Sequence, residues 1–204
     1  MAHSAPREPI QDHVDELIVS LPDGAVIVDA DVLDSYARDR TDVLAAGTPL
    51  AAVTARSTDD VASALGWAHA HDVPVVTRGA GTGLSGGATA TPGCLIVSLA
   101  KMNRILSVEP DDFVARVEAG VINGDLDRAA AEHDLMYAPD PSSMDISTIG
   151  GNIATNAGGL CCVKYGATGD YVLGLQVVIE DYIHDRIARL AVLLLVQGLG
   201  FLLA

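Results

Sequence analysis

Two glycine-rich runs carry most of the chemistry that this sequence offers: TRGAGTGLSGG, from Thr77 to Gly87, and STIGGNIATNAGG, from Ser147 to Gly159. About sixty residues separate them, and each follows an apolar, strand-like segment. Glycine lets the backbone take positive φ and lets a ligand reach main-chain N–H groups that a Cβ would shield. Two such loops in one domain can wrap a diphosphate from two sides, which points to a dinucleotide site. In the second run Ser, Thr and Asn alternate with glycine and small apolar residues, so donors come without bulk. Gly81, Gly83 and Gly86 satisfy G-x-G-x-x-G, the spacing of the dinucleotide fingerprint that opens a helix. The continuation of the chain is not helical in pattern: GGATATPGCLIVSL passes through β-branched residues, Pro92 and Gly93 into a strand over 95–99. No G-K-[ST] is present, which excludes a P-loop of the nucleotide-hydrolase type. The diphosphate is therefore expected to be held by loop amides.

The elements that must position these runs alternate between strand and helix. LAAVTA reads as a strand, after which Ser57 or Thr58 is a natural N-cap with Asp59 and Asp60 in the first turn. The helix runs to about His69 with Val61, Ala64, Leu65 and Ala68 as its buried stripe, and Val73 to Thr77 is the apolar strand that delivers the first run. Ile105 to Glu109 and Phe113 to Glu118 read as a hairpin around Pro110, Asp111 and Asp112. Asn123 is expected to cap a helix to about His133, and Met136 to Pro139 to form a strand entering the second run. Near the N-terminus Val14, Leu17, Ile18 and Leu21 mark one face of a short leading helix.

Composition narrows the function. Half of the 204 residues are hydrophobic, enough for one or two domains with a real core. With 12 Lys+Arg against 27 Asp+Glu the net charge is −15, which disfavours nucleic acid and anionic membranes as partners. Cys94, Cys161 and Cys162 make no disulfide framework, and the N-terminus has no secretory pattern, so a reducing, cytoplasmic setting is expected. The six histidines, His3, His13, His69, His71, His133 and His184, show no metal-ligand spacing, and no metal is expected. Arg78 can contact phosphate or brace its loop with a salt bridge.

Five segments in order, YARDRT (36–41), TRGAGTGLSGG, YAPDPSS (137–143), STIGGNIATNAGG and KYGATGDYVLGLQVV (164–178), resemble FAD-linked oxidases of the vanillyl-alcohol oxidase and p-cresol methylhydroxylase (PCMH-type) superfamily. The branch they most resemble is that of glycolate oxidase and D-lactate dehydrogenase, over roughly residues 10 to 178. The resemblance implies an α+β fold of two α/β subdomains with FAD between them, the second subdomain truncated. It implies that Val76, Thr77, Arg78, Gly79, Ala80, Gly81, Thr82, Gly83, Leu84 and Ser85 embrace the pyrophosphate. It places Pro139, Ser143, Gly150, Gly151, Asn152, Thr155, Asn156 and Gly159 along the ribityl and flavin-ring side. The first loop has no His or Cys, so non-covalent FAD is expected, and Cys161 and Cys162 are expected to be simply buried. The implied reaction is oxidation of a small 2-hydroxy acid such as glycolate or D-lactate, by hydride transfer to flavin, with electrons passing to an acceptor such as a quinone. That family's catalytic His, carboxylate-binding arginines and metal-binding histidines lie C-terminal to these segments, so no catalytic residue is assigned. A non-catalytic flavin-binding module remains an alternative.

The segment after LGLQVV departs from that pattern, and Leu190 to Ala204 carries no charge. It is expected to form a hydrophobic C-terminal helix, shorter than the about 20 residues that span a bilayer. GLQVVIEDYIH (174–184) with its apolar sequel resembles the succinate dehydrogenase hydrophobic membrane anchor subunit, with Asp181 and Tyr182 at that family's quinone site and Asp170 where its haem-ligating His should stand. Membrane contact through this tail, as a fusion fragment without a substrate domain, is a second alternative. The expected organisation is a helical lead-in over 1–43, an incomplete FAD-binding domain over 44–178 and a C-terminal helix over 179–204.

Overall fold

Short apolar runs bounded by Gly, Pro and Asp dictate two small sheets. The structure, a computed structural model, describes residues 13–179 and 197–202. The first sheet has the order β1-β2-β4-β3, with β1 at Val26–Ile27, β2 at Ala51–Thr54, β3 at Val75–Arg78 and β4 at Leu95–Ser98. β4 runs parallel to both β2 and β3, and β1 is an antiparallel edge. Every residue of β2 and β4 is buried, as parallel strands covered on both faces require. The crossover is α3 (Thr58–Ala70), and its expected stripe of Val61, Ala64, Leu65 and Ala68 is buried together with Trp67. Its N-cap is Ser57: Oγ accepts from the Asp60 amide at 3.1 Å, while the Asp60 carboxylate accepts from the Arg56 amide at 2.8 Å. The indole of Trp67 donates to the His13 carbonyl at 3.1 Å and so ties α1 (Val14–Ser20) to α3.

The expected lead-in is more than helical. Besides α1 and α2 (Ala30–Tyr36) it supplies β1, whose Val26 pairs with Val53, and so completes the first sheet.

The second sheet is antiparallel throughout, in the order β5-β6-β8-β7, with β5 at Ile105–Glu109, β6 at Val114–Glu118, β7 at Val172–Gly174 and β8 at Gln197–Leu202. The β5–β6 hairpin turns through Pro110–Asp112, with Phe113 in the left-handed region at φ 57. Beneath the sheet lie α4 (Asn123–Ala131) and α5 (Ile149–Thr155), followed by the short α6 (Cys162–Tyr165). One core joins the two sheets: Leu95 and Val97 of β4 belong to the same buried cluster as Ala115, Val117, Leu126 and Ile149.

Three sequence expectations are corrected. Asn123 is the first helical residue rather than the cap, and its side-chain Nδ2 donates to the Pro139 carbonyl at 3.1 Å. Residues 136–139 form no strand, because side chains of α4 take up their backbone groups: Asn123 holds Pro139, and the Asp127 carboxylate accepts from the Tyr137 amide at 3.0 Å. The C-terminal helix fails over Gln197–Leu202, which pairs as β8 between β6 and β7. Gly198 and Gly200 alternate there with Leu199 and Phe201, and each glycine costs a helix about 1 kcal/mol relative to alanine. Residues 180–196 of the expected helix lie outside the described residues, among which no helix is long and apolar enough to cross a membrane.

Leu126 is fully buried in the shared core. Leu126→Ala should lower the unfolding free energy by about 2–5 kcal/mol in a urea titration. Leu160→Ala, at a position 94% exposed, should stay within about 0.5 kcal/mol of the parent.

Candidate functional site

The chain leaves β3 directly into the first glycine run, and the second run is the one it meets. A Cβ on Gly79 would overlap the hydroxyl of Thr148, so the two backbones can approach only because residue 79 has no side chain. Thr148 is the N-cap of α5: its Oγ1 accepts from the Gly151 amide at 3.2 Å, and its carbonyl accepts from the Asn152 amide at 2.9 Å. Gly150 in turn donates to the Ala119 carbonyl at 2.8 Å, at the end of β6, where an added Cβ would come within 2.9 Å of the Ala119 Cβ. The seam leaves a cleft of about 450 Å³ between the two sheets, within the roughly 300–1,000 Å³ usual for small-molecule sites.

Of the residues expected at the site, Val76, Thr77, Gly79, Ala80, Gly81, Thr82, Gly83 and Ser85 line this cleft from one side, and Ser143, Gly150, Gly151, Asn152 and Thr155 from the other. Five do not line it. Arg78 is buried beneath the loop, its Nη1 donating to the Ala88 carbonyl at 3.2 Å with its guanidinium under Gly81, so it braces the loop. Burial lowers the Arg78 pKa, against the opposing charge of Asp39. Leu84 points to solvent, 76% exposed. Pro139 is held by Asn123. Asn156 ends α5 in the left-handed conformation, and its Oδ1 accepts from the Gly169 amide at 2.8 Å. Gly159 presses on the Asp140 backbone, with no room for a Cβ.

Asp39 also lines the cleft, and sequence reasoning passed over it although it sits in the YARDRT segment. Its Oδ1 accepts from the Thr41 amide at 2.9 Å and the Thr89 hydroxyl at 3.0 Å. Burial pushes the Asp39 carboxyl up, but the hydrogen bonds from the Thr41 amide and the Thr89 hydroxyl, with the nearby backbone of Ala88 and Gly86, outweigh it, and its pKa ends below the ordinary value. The carboxylate thus ties its own turn at Thr41 to the end of the loop at Thr89. The Arg40 amide adds a bond to the Gly83 carbonyl at 3.0 Å.

Both sides were expected to present loop amides, and here the structure differs. The second run is a helical turn whose Gly150, Gly151 and Asn152 amides are spent on Ala119 and Thr148. Gly81, Thr82, Gly83, Leu84 and Ser85 have no backbone acceptor for their amides among the described residues. Donors for an anion therefore come from the first run. Thr77 Oγ1 and Asn152 Nδ2 are buried, line the cleft and have no hydrogen-bond partner among the described residues. Buried polar atoms of this kind call for polar groups on a ligand.

Neither Cys161 nor Cys162 lines the cleft, and both are half-buried. The Cys162 thiol accepts from the Gly159 amide at 2.8 Å, and the Cys161 thiol is pushed up by its hydrogen bond to Asp140, away from the reactive thiolate. The sequence shows no metal-ligand spacing among the histidines, yet the fold brings His13 and His71 together beside Glu16, outside the cleft lining.

A family described as the FAD binding domain matches residues 49–181. The chain belongs to this family. The match extends through residue 181 and so takes in most of the GLQVVIEDYIH stretch that resembled a membrane anchor, a resemblance that receives no support. Over 133 residues the chain is 48% identical to the GlcD subunit of glycolate oxidase from Bacillus subtilis (strain 168), covering 65% of this chain and 28% of that protein. It is 39% identical over 154 residues to D-lactate dehydrogenase from Anaerostipes hadrus, covering 76% of this chain and 32% of the relative. The chain thus spans about a third of the length of these relatives. The p-cresol methylhydroxylase crystal structure with substrate bound shares the fold at TM-score 0.77 and 24% identity, over 95% of this chain and 43% of that one. FAD is the cofactor of the family, and the cleft, with its bare amides and orphaned Thr77 and Asn152 atoms, has the chemistry to take it.

Asp39 titrates lower folded than unfolded, so its clasp is fully present above the ordinary carboxylate value of 3.8 and is lost as pH falls through the depressed folded value. Hydrogen exchange at the Thr41 amide, corrected for its intrinsic rate, should lose protection over that acidic range. Asp39→Asn should show weak protection at every pH.

Proposed function

We propose that this chain is the FAD-binding portion of a flavoenzyme that oxidises a small 2-hydroxy acid, glycolate or D-lactate in class, and passes the electrons to an acceptor such as a quinone. The cleft at the meeting of the two glycine runs carries this reading, supported by the FAD-binding family match and by relatives that are a glycolate oxidase subunit and a D-lactate dehydrogenase. Redox chemistry, acceptance of a hydride from the hydroxyl-bearing carbon, is what FAD supplies when bound.

The residues of this chain bind and orient. Amides of Gly81 to Ser85 face the pyrophosphate, where hydrogen-bond donors offset the cost of bringing a dianion to a protein of net charge −15. Thr77 and Asn152 offer their unpartnered polar atoms to the ribityl and ring portions. Ala119, Ala154 and Ala157 narrow the cleft without polar competition and exclude water from the ring. Attachment is non-covalent on this reading: among the described residues the lining contains neither His nor Cys. Among the described residues Asp39 is the one ionisable residue of the lining, and its Oδ1 is taken up by Thr41 and Thr89. Groups that grip the substrate carboxylate and take its hydroxyl proton are therefore assigned to regions of the relatives beyond the matched third.

Gly83 separates binding from folding. A Cβ there meets only the Asp39 carboxylate, at 3.8 Å, whereas one on Gly81, at φ +69, would strike the Arg78 guanidinium. Gly83→Val should leave the fold intact by circular dichroism and weaken FAD, followed by flavin fluorescence, by about tenfold or more. Unchanged affinity would remove the first run from the site. Addition of glycolate or D-lactate to the FAD-loaded protein, joined to the remainder of a relative, should bleach the flavin absorbance; bands that persist would leave a binding module without this activity.

A further inference from the structure

His13, Glu16 and His71 form a cluster on the face of the molecule where α1 packs on α3, outside the cleft lining. His13 and Glu16 sit three residues apart on one face of α1, and His71 caps the C-terminal end of α3. The Glu16 carboxylate reaches both rings: one oxygen lies 3.5 Å from His13 Nδ1, the other 3.4 Å from His71 Nε2. The two rings are 4.5 Å apart, centre to centre. One ligand atom from each of the three residues lies within 4.8 Å of the others.

We propose that this cluster is a site for a divalent transition metal of the zinc class, which staples α1 to α3. Two independent features of the geometry carry it. The first is tautomeric. His71 Nδ1 stands 2.8 Å from the Trp67 carbonyl, an acceptor only, so Nδ1 carries a proton and donates. In the neutral ring Nε2 then presents a lone pair to a carboxylate oxygen, and two acceptors face each other with a place for a cation between them. A ring N–H on a backbone carbonyl is the usual outer support of a metal-bound histidine, fixing both tautomer and ring direction. The second is metric. Ligand atoms around a tetrahedral zinc with bonds of about 2.0–2.2 Å stand roughly 3.3–3.5 Å apart. The 3.4 Å between His71 Nε2 and one Glu16 oxygen is one such edge; His13 Nδ1 stands 3.5 Å from the other oxygen, and with one ligand atom from each residue inside 4.8 Å of the others, rotation of the Glu16 and His13 side chains closes the set. Two imidazoles and one carboxylate satisfy a borderline-soft cation and leave the fourth position to water. The Glu16 side chain is 63% exposed and the rings 26% and 16%, so the site opens to solvent.

The consequence is a clamp outside the cofactor cleft. α1 touches the rest of the fold through buried Val14 and Leu17 and the Trp67 bond to His13, and a metal would add a cross-link between residues 54 or more apart in sequence. A ligand that binds the folded form alone raises its stability by mass action.

The test is a calorimetric titration of the full chain with zinc chloride at neutral pH after chelator treatment, with thermal unfolding in parallel. One saturable equivalent in the micromolar range, with a rise in Tm, is expected. His71→Ala, His13→Ala and Glu16→Gln should each weaken that equivalent by about tenfold or more while leaving the metal-free Tm close to the parent. A variant lacking Cys161, Cys162 and the exposed His69 should keep it. Absence of saturable zinc binding would overturn the proposal and leave an imidazolium–carboxylate contact. Binding that survives loss of His71 and His13 would overturn it equally, by placing the metal elsewhere.

Discussion

Everything at the cleft depends on a close approach of two backbones that only missing side chains permit. Gly79 lies against the Thr148 hydroxyl and Gly150 against Ala119, so the end of β3 and the start of α5 touch where any other residue would hold them apart. Thr148 serves both sides of this seam, capping α5 through Gly151 while filling the space that Gly79 leaves. Because the sheets share one apolar core below the seam, the cleft above it has fixed walls. The loop over the cleft is then held open by its own supports: Asp39 and Arg40 on the outside, the buried Arg78 beneath. The Asp39 carboxylate, the Arg40 amide and the Arg78 guanidinium are spent on shaping the loop, and the amides at its tip stay uncommitted.

The sequence announced β2, β3, β4, α3 and its cap, the hairpin of β5 and β6 and both glycine runs, because each rests on local rules of periodicity, capping and turn chemistry. The strand over 136–139 and the role of Asp39 failed for long-range reasons. That Asn123 and Asp127 would bond the chain at Pro139 and Tyr137, and so remove a strand, depends on how α4 docks and not on the run MYAP itself. Gln197–Leu202 reads as part of an apolar helix until β6 is seen to offer it an edge, although Gly198 and Gly200 were a local warning. Asp39 lies 50 residues from its partner Thr89 and carries no motif of its own beyond its place in YARDRT. The conversion of the second run from loop to helical turn could have been read from Thr148, a good cap followed by Ile149 and a short apolar stretch.

Division of labour results from this arrangement. The first run offers donors, the second offers shape, and neither offers an acid or base to chemistry. A chain that spans about a third of its relatives is in this respect self-consistent: it contains a cofactor cradle and supports for that cradle. The His13, Glu16 and His71 cluster bears on stability of the cradle's flank and is chemically independent of the flavin.

The measurement that bears most directly on the account is a nitrogen–proton NMR correlation spectrum of the labelled chain, titrated with FAD. The cleft assignment predicts that amide signals of Gly81 to Ser85 shift with the same saturation curve as the side-chain amide of Asn152, with signals of the exposed face of α1 unmoved. Shifts confined to residues outside the two glycine runs, or a spectrum that FAD leaves unchanged, would contradict it.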